Sequence, residues 1–344
     1  MNIGNKIKQL RYRSSVTQEQ LAERLGISAQ AVSKWENGVT MPDISLLPAL
    51  AETFGITIDD LFDLTTEQKF NRIENRLDTE KELPRDVLYD YEEFLKGELA
   101  AEENKARATE LLAYLYWHSM NSASEKVRRY AKDAIRNDPG KKGCQWMLSQ
   151  AERHAVWDWN VSNHSKAIDF YREVAGANPD KALPLEFLID NLIADHRTDE
   201  AEKYLDKLCS IEEGNPVLKD IYRAHIALAR FDESAADAII NELGKKYPED
   251  ASYLFEAAQY YAKKCDYGKA VKCYELSFEK EVHRPRYIDA LQGIAQINEI
   301  KEDYAQAART YDRIVDVMRN EWGLTEEVEL TDAEDERARL LAKA

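Results

Sequence analysis

Apolar and polar residues recur along most of this chain with the period of an α-helix, and almost nowhere with the period of a strand. Near the N-terminus, Ile3, Ile7 and Leu10 lie on one side of a helix predicted for Ile3–Arg13. Similar stripes continue to the end of the chain. Glycine and proline are sparse, at 13 and 9 of 344 residues, which suits helices joined by short turns. The pattern predicts an all-α fold.

The segment Val16–Asn37 has the clearest local pattern, that of two short helices joined by a tight turn. Thr17 and Gln20 match a capping box, and Gly26 stands where a helix end favours a left-handed residue. Ser28 can cap the second helix. The residues of this helix predicted to point inward are Ala31, Val32 and Trp35. Short polar residues on an outward helix that follows such a turn are suited to reading a DNA major groove.

Three further helices are predicted around this pair. Besides the first helix, the break at Pro42 predicts a helix over Ile44–Phe54 that is closed by Gly55. Thr57–Asp60 should open a last short helix, in which Leu61 and Phe62 close the core. These five helices predict a compact head of about 64 residues.

The distribution of charge changes what the net charge of −17 implies. An acidic chain is in general a poor partner for phosphates. Before Asp43, however, basic residues outnumber the acidic Glu19, Glu23 and Glu36. The basic residues are Lys6, Lys8, Arg11, Arg13, Arg24 and Lys34. A locally basic head on an acidic body can bind DNA on one face.

The run IGNKIKQLR…TQEQLAERLGISAQAVSKWENGVTMPD…LPALAETFGITIDDLF resembles the Cro/repressor-type helix-turn-helix, or Xre family, from about Asn2 to Leu64. The resemblance implies that Gln18 bonds to the DNA backbone and that Arg11 and Glu36 form a structural ion pair. It also implies DNA contacts at the start of the third helix and just after it, through Ser28, Ala29, Gln30, Ser33, Lys34 and Asn37.

Side-chain chemistry narrows the candidates for base recognition. A glutamine such as Gln30 can bond to adenine in a bidentate manner, and Lys34 can reach guanine or a phosphate. Ala29 offers only a methyl group for thymine. The alternative for Gln30 and Ser33 is a plain solvated helix face, and Trp35 is expected in the core.

Beyond the head, a polar connector carries a thin apolar stripe formed by Phe70, Ile73 and Leu77. This helix could dock on the body, pair with its counterpart in a dimer, or remain a solvated linker. We predict a head at 1–64, a helical linker at 65–84, a helical-repeat domain at 85–324 and an acidic C-terminal helix or tail at 325–344.

The larger domain contains repeated segments. KAVKCYELSF (269–278) and QAARTYDRIV (306–315) each place an aromatic residue four positions after an alanine, Ala270 or Ala307. Weaker copies contain Ala167 and Ala236, and the weakest of them include 199–208 and 128–139. These segments resemble the tetratricopeptide repeat, in about six degenerate copies from about Ala106 to Trp322. The resemblance implies an α-solenoid of helical hairpins with a concave groove.

Counting register from the alanines predicts which side chains line that groove. They are Tyr116, Glu152, Trp159, Asn160, Asp190, His225, Gln259, Lys263 and Gln296. Asparagine and glutamine could bond to a peptide backbone, which needs both a donor and an acceptor. The tryptophans Trp146, Trp157 and Trp159 could instead fill gaps between hairpins.

A repressor-type head followed by such repeats resembles the peptide-responsive regulators of Gram-positive bacteria. The resemblance implies a homodimer that binds double-stranded DNA under the control of a signalling peptide or protein. A cytoplasmic location is expected because the sequence shows neither a membrane-length apolar run nor an apolar signal core at its N-terminus. The alternative is a scaffold for a protein such as a kinase or phosphatase, with DNA binding secondary.

Neither an enzyme nor a cofactor is expected. The histidines and the four scattered cysteines form no metal or nucleophile motif, and no apolar run has the roughly 20 residues that cross a membrane.

Overall fold

The computed structural model describes residues 3–56, 58, 61–62, 64–152 and 163–344. All regular elements in these residues are helices, so the predicted all-α class is confirmed. In this part of the chain, no helix has both the length and the apolar character needed to span a bilayer. The chain divides into two compact units, Met1–Ser124 and Glu125–Ala344.

The head begins with the helices that the local sequence pattern predicts. They are α1 (Ile3–Arg13), α2 (Gln18–Leu25) and α3 (Ala29–Glu36), followed by a 3-10 turn (Ile44–Leu46) and α4 (Leu47–Phe54). Both halves of the Thr17–Gln20 capping box are present, and Gly26 has φ of +68°. The largest fully buried side chains of the head core include Ile7, Leu21 and Leu50.

At the end of the head, one predicted helix begins later than expected and another falls mostly outside the described residues. The α-helix predicted from Ile44 begins at Leu47 instead, because Pro48 in its first turn has no N–H to continue a preceding helix. The last short helix, predicted to open at Thr57–Asp60, lies mostly outside the described residues. Leu61 is described and is fully buried in the head core.

The connector forms α5 (Thr66–Thr79), which is followed by α6 (Arg85–Glu98) and α7 (Glu102–Asn137). Phe70, Ile73 and Leu77 are at most 2% exposed, in a cluster with Leu95 of α6 and Leu111 of α7. The stripe is therefore covered by the following helices of its own chain, and α5 is not a solvated linker.

The second unit consists mainly of antiparallel helical hairpins. Its helices are α8 (Lys142–Glu152), α9 (Ser165–Ala177), α10 (Ala182–Ala194), α11 (Thr198–Ser210), α12 (Pro216–Ala229), α13 (Glu233–Lys246), α14 (Ala251–Lys263), α15 (Tyr267–Lys280), α16 (Asp289–Ile300), α17 (Tyr304–Asn320) and α18 (Val328–Leu341). Helices α10 to α17 pair in chain order as four hairpins.

Small residues lie where the two helices of each hairpin meet. Ala201, Ala236, Ala270 and Ala307 are all completely buried, as the repeat pattern requires. Ala167 is only half-buried, and its neighbour Ile168 takes the buried position. The weak copy predicted at 128–139 forms no hairpin, because its first ten residues continue the uninterrupted helix α7.

The turn inside each hairpin has the same geometry. The second residue after the first helix is left-handed, with φ between 56° and 61°, although none of the four is glycine. They are His196, Phe231, Cys265 and Glu302. In three hairpins the next residue is an aspartate whose carboxylate caps the second helix, namely Asp232, Asp266 and Asp303.

The C-terminal segment forms the helix α18 rather than a frayed tail. Leu330 and Leu340 are buried, the latter against Ala307 and Ala308 of α17. Arg339 donates two hydrogen bonds to Glu299, at 2.7 and 2.8 Å. The helix thus covers the apolar side of the last hairpin, as a cap does in a repeat array.

A glycine in α16 permits close packing against α15. A Cβ added to Gly293 would lie 2.7 Å from the ring of Tyr274, which is 4% exposed. We expect Gly293→Ala to lower the free energy of unfolding by about 1–2 kcal/mol, because overpacking outweighs the better helix propensity of alanine.

The matched control is Gly176→Ala in α9, where a Cβ would meet nothing within 4 Å. This variant should gain up to about 1 kcal/mol. Hydrogen exchange of α15, α16 and α9 measures both changes. Equal stabilisation in the two variants would contradict the packing argument.

Candidate nucleic-acid interface and effector cavity

Helix α3 presents one polar face and buries the opposite one. Val32 and Trp35 are at most 5% exposed in the head core, whereas Gln30, Lys34 and Asn37 are exposed. Residues three, four and seven positions apart share a helix face. The three exposed side chains therefore form one polar surface at which α3 can meet a ligand.

The remaining residues predicted at this surface have different surroundings. Ser28 caps α3 by accepting a hydrogen bond from the amide of Ala31, at 3.2 Å. Ser33 accepts one from Asn37 Nδ2, at 3.3 Å. Ala29 was predicted to point outward but is half-buried, because the first turn of α3 packs against the head core.

A buried ion pair connects α1 with the end of α3. Arg11 Nε and Nη2 donate to the two carboxylate oxygens of Glu36 at 2.6 and 2.9 Å, and Arg11 Nη1 donates to the carbonyl of Val16. Gln18 Nε2 donates to Glu36 Oε2 at 2.8 Å. The side chain that the family resemblance assigns to the DNA backbone thus also supports this pair.

The pair shifts the pKa of the Glu36 carboxyl. Burial raises this pKa, but the hydrogen bonds from Arg11 and Gln18 and the positive charge of Arg11 outweigh burial, so the pKa is lowered overall. Glu36 therefore stays ionised in the folded head, and it holds α1 and the start of α2 in register with α3.

In the second unit, three helices line a cavity of about 610 Å³. They are α10, α12 and α14, the first helices of three successive hairpins. Their lining residues are Leu183, Glu186, Phe187, Asp190, Ile193 and Ala194 from α10, Leu218, Tyr222 and His225 from α12, and Glu256, Gln259 and Lys263 from α14. A cavity of this size suits a small ligand or part of a peptide.

The cavity holds carboxyl groups with perturbed pKa values. Burial raises the pKa of Asp190, although Tyr222 and Lys263 act in the opposite direction. Burial and the charge of Asp190 raise the pKa of Glu256 to about 7 and also raise the pKa of Glu186. The carboxylates thus lack enough positive charge nearby to offset the cost of burying them.

His225 lies in the same wall and is neutral. Burial, together with the charge of Lys263, lowers its pKa to about 3. Its Nε2 is 4.0 Å from Glu256 Oε2. Its Nδ1 is buried without a hydrogen-bond partner among the described residues.

The structure brings together four of the nine residues predicted for the groove. Asp190, His225, Gln259 and Lys263 line the cavity. Three of the others lie elsewhere: Tyr116 is in the first unit and bonds to Glu92, Glu152 pairs with Lys132, and Gln296 is exposed on α16. The predictions for Trp159 and Asn160 fall outside the described residues.

Register counting failed at the N-terminal end because α7 is one long helix rather than a hairpin. It also missed Glu186, Tyr222 and Glu256. These residues lie three or four positions before Asp190, His225 and Gln259, on the same helix faces. Adding the previous helical turn to each predicted position would have found them.

No group of three His, Cys, Asp or Glu side chains in the described part of the chain is arranged to hold a metal ion.

Comparison with known proteins assigns the head. A helix-turn-helix family model matches residues 7–61. The chain is 44% identical over 61 residues to the HTH-type transcriptional activator BcrR of Enterococcus faecalis, a match that covers 18% of this chain and 30% of the relative. It is 40% identical over 58 residues to the uncharacterized HTH-type transcriptional regulator MJ0272 of Methanocaldococcus jannaschii, covering 17% of this chain and 88% of that protein.

The chain belongs to the helix-turn-helix family of transcriptional regulators. The prediction of a DNA-binding regulator is confirmed, and the relatives are regulators rather than enzymes. The family model lies within the head, and the chain spans less than a third of the length of BcrR.

Among solved structures, the chain is similar to Bacillus thuringiensis PlcR in complex with the peptide PapR7 and DNA. The sequence identity is 15% and the TM-score 0.22, over 90% of this chain and 98% of that one. At this TM-score, neither ligand is carried over to this chain.

Proposed function

We propose that this protein is a sequence-specific transcriptional regulator that binds double-stranded DNA as a homodimer, and that its helical-repeat domain binds a peptide or protein effector. The observation that supports the DNA-binding half is the surface of α3. Gln30 and Lys34 are exposed there, on the face opposite to the one that packs into the head core. Glutamine and lysine are side chains that can bond to base edges in the major groove. Since such a regulator works on DNA, we place it in the cytoplasm.

The size of the head supports the homodimer. One recognition helix of eight residues gives a small interface, and only two exposed side chains on it are suited to base recognition. Two heads on half-sites about 10–10.5 base pairs apart, or a multiple of that spacing, would double the contacts.

The cavity supports the effector half of the proposal. It lies across three hairpins, so a ligand bound there would favour one arrangement of these hairpins over others. Such a ligand would shift the population of states of the whole regulator by its difference in affinity for them. Regulation would follow if these states differ in how two heads are spaced.

Selection from random DNA with the purified full chain tests the proposal. We expect enrichment of a two-fold symmetric site, with binding that weakens as salt increases because lysine–phosphate contacts release counterions. Light scattering of the complex should give two chains per site. A selection without any enriched sequence would refute the DNA-binding half, and one chain per site would refute the homodimer.

A further inference from the structure

The effector cavity has more negative than positive groups. Glu186, Asp190 and Glu256 line it, whereas Lys263 is the one basic side chain among the described lining residues other than the neutral His225. Placing carboxylates in a poorly solvated site is unfavourable unless a positive partner is present. Lys263 supplies one positive charge for three carboxyl groups, so a bound cation would offset more of the cost of burying them.

A second and independent observation concerns His225. This side chain is 7% exposed, and its buried Nδ1 has no hydrogen-bond partner among the described residues. Buried polar atoms are nearly always satisfied. A neutral imidazole can use one ring nitrogen to accept a hydrogen bond, so the imidazole of His225, which lines the cavity, has unused hydrogen-bonding capacity.

The rest of the wall is apolar. Leu183, Phe187, Ile193 and Leu218 line the cavity beside the carboxylates, and Phe187 stacks on Tyr171 with ring centroids 5.4 Å apart. Leu183 is 62% exposed and Phe187 45% exposed, so both offer apolar surface to a ligand. The cavity wall therefore combines hydrogen-bond acceptors with apolar surface.

We propose that this cavity binds the primary ammonium group of a short peptide, from a free amino terminus or a lysine side chain, together with an adjacent apolar residue. The ammonium group would donate hydrogen bonds to Asp190, Glu256 and the imidazole of His225, all of which line the cavity. The Gln259 amide, a donor and an acceptor, suits the neighbouring peptide bond. This inference rests on the effector half of the proposed function.

Four random heptapeptide pools test the inference on the immobilised full chain. The amino terminus is free or acetylated, and lysine and arginine are included or omitted. We expect enriched sequences with an apolar residue beside the amine from pools that contain a primary amine, and none from the acetylated pool without lysine and arginine. Enrichment from both free-terminus pools and from neither acetylated pool identifies the amino terminus as the source. Enrichment of lysine-containing sequences from the acetylated pool that includes lysine and arginine identifies the side chain.

Two isosteric variants test the residues. We expect Asp190→Asn and Glu256→Gln each to weaken binding of an enriched peptide about tenfold to hundredfold, by calorimetry, because a charge-assisted hydrogen bond becomes a neutral one. The matched control Glu242→Gln changes an exposed carboxylate on α13 and should leave the affinity within twofold. Hydrogen exchange of α10, α12 and α14 verifies that each variant is folded.

Several results would overturn the inference. They are equal enrichment from the cation-free pool, enrichment of acidic peptides, no enrichment from any pool, or unchanged affinity in both isosteric variants. The DNA selection described above is run on the same preparation. A protein that selects DNA but no cationic peptide would refute this inference while leaving the DNA-binding half of the proposed function intact.

Discussion

Replacing Gln30 and Lys34 together with alanine is expected to reduce affinity for the selected DNA site at least about twenty-fivefold. A side chain that bonds to a base edge in a bidentate manner contributes about 1–3 kcal/mol of discrimination. Losing two such side chains costs about 2–6 kcal/mol, and 1.4 kcal/mol corresponds to tenfold in affinity. Fluorescence anisotropy with labelled DNA at one fixed salt concentration measures the loss.

A double variant with the same chemistry elsewhere is the control. Gln9 is exposed on α1, and Lys301 is exposed in the turn between α16 and α17. Gln9→Ala with Lys301→Ala changes charge and composition equally but should retain specific binding. If this control loses as much affinity as the α3 variant, net charge rather than base contact governs binding, and the assignment of α3 is wrong.

Removing the carboxylate of Glu36 is expected to destabilise the head by about 3–5 kcal/mol. Arg11 and Glu36 are 7% and 3% exposed, so Glu36→Ala would leave a buried arginine without its partner. Folded domains are stable by about 5–15 kcal/mol, so the loss would be a large fraction of the total. Hydrogen exchange of the amides in α1 to α4 measures it.

The exposed glutamate Glu52 on α4 is the matched control, and Glu52→Ala should change the stability by less than about 0.5 kcal/mol. Similar effects of the two substitutions would show that the Arg11–Glu36 pair contributes little.

The same pair predicts how head stability depends on pH. The pKa of Glu36 in the folded head is below its ordinary value of 4.5, so the unfolded chain binds this proton more readily. The stabilisation is therefore fully present above about pH 5 and is lost as the pH falls through the folded pKa. Glu36→Ala should remove this part of the acid dependence.

The head could be predicted closely because its helices are set by local chemistry. The Thr17–Gln20 box and the left-handed Gly26 define where α2 begins and ends, and both are readable from adjacent residues. Gln18 is different. Its contact with Glu36 spans 18 positions, and the family resemblance, which assigns this side chain to the DNA backbone, gave no indication of that contact.

The cavity could be predicted only in part, for a related reason. Repeat spacing located Asp190, His225 and Gln259 because successive hairpins place equivalent residues on one side. The carboxyls of Glu186 and Glu256 become important only through their burial beside Asp190, which depends on how three helices pack. Sequence spacing shows which positions repeat along an array, but not how deeply each side chain is buried once the hairpins pack.

The four left-handed turns of the hairpins have a mechanical consequence. Holding a non-glycine residue in this conformation costs about 1–2 kcal/mol, and each hairpin from α10 to α17 contains one such residue. The stability of a repeat array is roughly a sum over the repeats and the contacts between neighbouring repeats. Each hairpin is therefore less stable than it would be without this cost. We expect the hairpins to open locally more readily when no ligand is bound, and a ligand that contacts three hairpins to reduce this opening.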